Sequence, residues 1–112
     1  MESADAQSLN VAVTIVGSPP NLQWSVAPDP LEVDQENLIN YQLSNQSPTP
    51  LVFCAVNVEP SSPQFQVQSI RPTQIQLLDQ DLTAGSFAVY LWVQDRNGQR
   101  YRSPDPQVIN RR

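Results

Sequence analysis

Apolar and polar residues alternate along most of this chain, and proline or turn residues interrupt the alternation about every eight to twelve positions, the spacing of an all-β sandwich or barrel. Leu9, Val11, Val13 and Ile15 share one parity and stop at Gly17-Ser18-Pro19-Pro20. Leu22, Trp24 and Val26 share the next and stop at Pro28-Asp29-Pro30, so Trp24 is expected in the core. After the short Leu31-Glu32-Val33 and the turn Asp34-Gln35-Glu36-Asn37, Ile39, Tyr41 and Leu43 form the inward set of another strand, closed by Ser47-Pro48-Thr49-Pro50.

Leu51 to Val58 is the most continuously apolar run and predicts a central strand buried on both faces. Phe65 with Val67 and Ile75 with Leu77 mark two more strands, and Phe87 to Val93 the strongest one. A last strand starts near Gln99 and resumes, past Pro104-Asp105-Pro106, at Gln107-Val108-Ile109. No segment has helical periodicity. Nearly all of the 11 prolines fall between strands, where the missing N–H does no harm. The two Pro-Asp-Pro tripeptides read as bends or edge interruptions.

The hairpin at Asn97-Gly98 can be argued to a register. A two-residue loop would set Val93 opposite Arg102, mixing core with solvent on one face. A three-residue loop, Arg96-Asn97-Gly98 with Gly98 left-handed, sets Val93 opposite Tyr101, Trp92 opposite Arg102 and Gln94 opposite Arg100. The second register is expected.

Composition narrows what such a scaffold does. The chain of 112 residues suits a single domain over 1–112, with flexible ends at 1–7 and 110–112. Charged residues make up 15%, below the usual ~25%, and Gln and Asn carry the wet faces instead. The net charge is -5 and the sequence pI about 4.3, which argues against nucleic acid and anionic membranes as partners. All six cations are arginines, five of them between Arg96 and Arg112. The first residues show neither the basic nor the apolar segment of a secretory leader. The single Cys54 has no disulfide partner and is expected to be reduced and buried, with no cation in its own strand to activate it. A cytoplasmic location follows as an expectation.

The stretch from Leu82 to Gly98, LTAGSFAVYLWVQDRNG, resembles the penultimate strand and final hairpin of an immunoglobulin-like domain. It departs from that pattern at Phe87, where many such domains place a tyrosine that anchors the corner, and in lacking an inter-sheet disulfide. Asp29-Pro30 and Glu59-Pro60 resemble the two dipeptides that name the DP-EP family of small bacterial proteins. That resemblance implies a bacterial β-sandwich and brings no activity with it.

The chain has no histidine and no lysine. Ser-His and Cys-His pairs, Schiff bases, phosphate-loop lysines and zinc sites of Cys and His are therefore excluded. Only paired carboxylates or an oxygen-bound cation remain. Asp79 and Asp81 precede the strongest strand while Asp95 and Asn97 follow it, roughly 20 Å away by strand length, so those four do not share a calcium site. A site within Asp34-Gln35-Glu36-Asn37 would need help from another loop.

The positive clue lies in the final hairpin. With Val89, Leu91 and Val93 inward, Tyr90, Trp92 and Gln94 face outward beside Arg100 and Arg102, with Arg102 expected over Trp92. Tyr, Trp and Arg are the residue types enriched at binding hot spots. The expectation is an all-β, immunoglobulin-like sandwich of about seven to nine mostly antiparallel strands, with no enzymatic activity, no cofactor and no metal. It is expected to serve as an interaction or structural module meeting a protein partner or a second copy through Tyr90, Trp92, Arg100 and Arg102. The alternative is a small carbohydrate- or calcium-binding module.

Overall fold

The two-residue period becomes ten strands in the computed structural model of the chain, which describes residues 7–111. They are β1 (Gln7–Val16), β2 (Gln23–Ala27), β3 (Leu31–Val33), β4 (Asn37–Asn45), β5 (Val52–Glu59), β6 (Phe65–Arg71), β7 (Gln74–Asp79), β8 (Gly85–Gln94), β9 (Arg100–Arg102) and β10 (Gln107–Asn110). Among the described residues no helix forms, and none is long and apolar enough to cross a membrane. Residues 1–6 and 112, read from the sequence as loose ends, lie outside the described residues. Asn110, grouped with that tail, is the last residue of β10 and is buried.

Two sheets form, in the orders β2-β1-β4-β7-β6 and β3-β10-β8-β5, with β9 also on β8. Their inner faces share one core. Val13, Ile15, Ile39, Tyr41, Ile75 and Leu77 of the first sheet join Val33, Phe53, Val89, Leu91, Val93 and Val108 of the second. Trp24, opposite Ile15 in register, packs against that core as its parity requires.

Three differences from the sequence reading have physical causes. The strand count is ten because the last strand is divided. Pro104 and Pro106 cannot donate to the ladder, and Ser103 stands in, its Oγ accepting the Leu91 N–H at 2.9 Å. Beyond the gap the Val89 N–H donates to Pro106 O at 2.9 Å and pairing resumes at Gln107. Second, the sheets are mixed, since β1 runs parallel to β4 and β3 parallel to β10. This follows from the chain leaving the first sheet at Pro28-Asp29-Pro30 and returning beside β1 only after β3.

Third, β5 is an edge strand and not a central one. Its apolar run is continuous because a bulge at Cys54 interrupts the alternation. Phe53 pairs with Val93 and Ala55 with Trp92, leaving Cys54 as the extra residue, which resets the parity so that Val56 and Val58 face inward.

Two tests of this packing are direct. Burial lifts the Tyr41 phenol far above its ordinary value of 10.0, and the Asp79 and Asp29 carboxylates add to the rise. The folded-state pKa is raised, so the stabilisation is complete below the unfolded value and is lost as pH climbs above about 10. With no lysine in the chain, only tyrosine and Cys54 titrate on that limb. Urea melts should therefore show stability falling above pH 10 in the native chain and falling much less in Tyr41→Phe.

At the turns, Gly17 has φ of 87° and a Cβ there would stand 2.9 Å from Asn21 O, whereas Gly98, at 81°, would meet nothing. Gly98→Ala should cost about 1 kcal/mol from backbone conformation alone. Gly17→Ala should cost distinctly more in the same melts.

Candidate functional face

The strong alternation of β8 fixes which side chains stand outside the second sheet. Phe87, Val89, Leu91 and Val93 are buried, so Ala88, Tyr90, Trp92 and Gln94 turn outward, each half-buried. The β8–β9 hairpin has the expected register, Trp92 with Arg102, Val93 with Tyr101 and Gln94 with Arg100. Its loop is held by Asp95. The Asp95 N–H donates to Gln99 O at 3.0 Å, and the Gly98 N–H donates to Asp95 O at 3.1 Å. Asp95 Oδ1 accepts the Asn97 and Gln99 N–H groups at 2.9 and 3.0 Å, and Oδ2 accepts the Tyr101 hydroxyl at 3.2 Å. With its oxygens so occupied, this carboxylate organises the loop.

The four residues singled out from the sequence share one face, in an arrangement that differs from expectation in one respect. The Arg102 guanidinium lies over Tyr90, 4.6 Å from the ring centroid, and not over Trp92. Trp92 is turned toward β5, where its Nε1–H donates to Asn57 Oδ1 at 2.8 Å. Asn57 is in turn oriented by Glu59, its Nδ2 donating to Oε2 at 3.3 Å. With the indole drawn to one side of β8, the arginine takes the diagonal aromatic neighbour, which is within reach of a long side chain across an antiparallel pair. A guanidinium over a ring at the protein surface contributes about 0.5–1 kcal/mol.

Asn57 and Glu59 were missed because the parity of β5 cannot be read through the Cys54 bulge. With the bulge placed, their register partners Tyr90 and Ala88 bring them onto this face. Cys54 is half-buried. Burial pushes its thiol up, while Arg100, brought near by the hairpin rather than by its own strand, pulls the other way. A shallow depression lined by Pro50, Val52, Gln94, Asp95 and Arg96 adjoins the Gln94 end of the face.

The two dipeptides quoted from the sequence occupy defined positions in this frame. Asp29 Oδ1 accepts the Gln107 N–H at 2.9 Å, so the first Pro-Asp-Pro is fastened to the residue that follows the second. Glu59 closes the hydrogen-bonded series that begins at Trp92. Residues 6–112 match the model of the DP-EP family. The chain belongs to the DP-EP family. No curated protein matches it. In this DP-EP chain the acidic residue of each dipeptide thus has a defined partner, Asp29 the distant start of β10 and Glu59 the nearby Asn57 amide that orients Trp92.

The Asn57 contact has a spectroscopic signature. In Asn57→Ala the Trp92 indole N–H should lose its acceptor, shifting upfield in a ¹⁵N-edited spectrum and exchanging faster with water. The indole N–H of Trp24 should not move. Loss of the bond should cost about 1 kcal/mol of stability.

Proposed function

We propose that this DP-EP chain is a non-enzymatic interaction module that meets an acidic protein surface, or a second copy of itself, through Tyr90, Trp92, Arg100 and Arg102. One observation carries the reading. A net -5 molecule sets Arg102 on the Tyr90 ring, with Arg100 two positions away on the same strand and Trp92 held half-buried by Asn57. Aromatic groups whose rotamers are already fixed lose little entropy on contact, and flanking guanidiniums select an acidic partner and speed encounter. The lack of histidine and lysine, a property of the sequence, supports a role without acid–base or covalent chemistry near neutral pH.

The same proposal takes the two packed sheets as an immunoglobulin-like sandwich and the protein as bacterial and cytoplasmic. The β8–β9 hairpin in its three-residue register and the lone cysteine support that reading.

The experiment is sedimentation over a range of concentrations, joined to capture from source lysate, for the native chain, Trp92→Ala and the double variant Arg100→Glu/Arg102→Glu. Either the native mass or its captured set should be lost in both variants while the far-ultraviolet spectrum is kept. The association should also weaken as salt is raised. A mass and a captured set that neither variant alters would remove this reading.

A further inference from the structure

Of the strands that end a sheet, β2 is the one with nothing to discourage another chain. β5 and β6 each lose their regular register at a bulge, and they end on the charged residues Glu59 and Arg71. β3 is three residues long with Glu32 at its centre, and β9, on the flank of β8, is equally short and holds two arginines. β2 has five residues, all in unbroken antiparallel register with β1 from Ala12↔Ala27 to Val16↔Gln23. It contains no charge, no proline and no bulge, the devices that blunt an edge. Its other flank is open. Among the described residues β1 is its only strand neighbour, and no backbone hydrogen bond outside the ladders reaches Gln23–Ala27.

Charge and sequence say what fits there. No charged side chain occurs from residue 6 to residue 28, and the next one, Asp29, is engaged by the Gln107 N–H. Two copies of a net -5 molecule repel where their acidic surfaces meet, and this neutral edge lets them approach without that opposition. The strand also complements itself. An antiparallel pair of β2 strands with a two-fold axis between the two Ser25 residues sets Trp24 against the second copy's Val26, Gln23 against its Ala27 and Ser25 against its Ser25. Parity is kept, because Trp24 and Val26 are the half-buried, core-facing positions while Gln23, Ser25 and Ala27 are exposed. Aromatic with β-branched and hydroxyl with hydroxyl are favourable cross-strand pairs, and a slip of one residue would oppose core-facing to solvent-facing positions. The added strand would cover the part of Trp24 and Val26 that the sheet edge leaves open.

We propose that two copies of this chain associate through β2, in an isologous antiparallel pairing centred on Ser25 that joins their five-stranded sheets into one continuous sheet. The surface is separate from the Trp92 face, which belongs to the other sheet, and the proposal does not rest on that face. The two-fold axis stands perpendicular to the joined sheet, so both second sheets lie on one side of it and their Trp92 faces point the same way. Five residues a side make a small contact, so the dimer is reversible and concentration-dependent.

The test is sedimentation equilibrium of the full chain from micromolar to millimolar concentration, beside Ser25→Glu, Ser25→Lys and an equimolar mixture of the two. Ser25 is exposed on the solvent side of β2, so both variants should keep the native far-ultraviolet spectrum. The native chain should show a monomer–dimer equilibrium. Each variant alone sets like charges face to face across the axis and should dimerise about fivefold more weakly. The mixture should recover the dimer as a one-to-one pair of the two variants. Ser25→Lys lowers the net negative charge, so weakening in that variant reports the register and not general repulsion. A native chain that stays monomeric, a Ser25→Lys variant that associates more tightly than the native chain, or a mixture no tighter than either variant would overturn the proposal. So would a dimer lost in Trp92→Ala and kept in both Ser25 variants, which would assign the contact to the Trp92 face.

Discussion

The register of β8 is the constraint from which the rest of the second sheet follows. It is flanked by β5 on one side and by β10 and β9 on the other, and its alternate residues Val89, Leu91 and Val93 are 0% exposed. A slip of one residue would carry those three into water and push Tyr90 and Trp92 into a core with no room for them. Sealing the core and presenting the aromatic face are therefore one event. The outer face inherits its precision from the inner one.

The long connections do comparable work by other means. A chain that leaves one sheet, adds three residues to the other and returns must fix its corner without a continuous ladder. Here Pro28-Asp29-Pro30 stiffens the corner, and the Asp29 carboxylate supplies the missing link by accepting the Gln107 N–H. Gln107 opens β10, the strand that β3 joins, so one carboxylate ties the sheet-crossing corner to the strand it must meet. That bond makes the two Pro-Asp-Pro segments neighbours in space.

Much of this was legible in the sequence, and what was not had a cause. Period-two runs located the strands, and apolar-with-apolar matching gave the hairpin register, since Val93 has one sensible partner. The Leu51–Val58 run misled because an unbroken apolar stretch signals either burial on both faces or a bulge, and composition alone cannot separate them. Arg102 was expected over Trp92 because cross-strand pairing was known and the competing acceptor Asn57 was not. The parallel pairs were invisible, because strand order depends on which sheet a proline corner hands the chain to. Asn37 and Asp79 read as turn residues and Asn110 as part of a flexible tail. Nothing local distinguishes a solvated turn carboxylate from one that ends an inward series.

The absence of lysine bears on the edges as much as on the chemistry. Open sheet edges invite pairing with other chains, and proteins commonly prevent this with charge, lysine above all. This chain lacks that device and uses geometry. The edge strands β5 and β6 each carry a bulge, at Cys54 and at Gln68, and β3 is three residues long. Apart from Arg71, the broad outer face of the first sheet is likewise wetted without charge. Asn10, Asn40, Gln76 and Ser69 form a hydrogen-bonded row across β1, β4, β7 and β6, at 3.4, 3.0 and 3.1 Å. Amides bonded to one another across strands reinforce the register of the sheet as well as wetting it. That leaves the arginines of the final hairpin as cations set against a mostly neutral or acidic surface, so the economy that removed lysine elsewhere is what makes the Trp92 face electrostatically distinct.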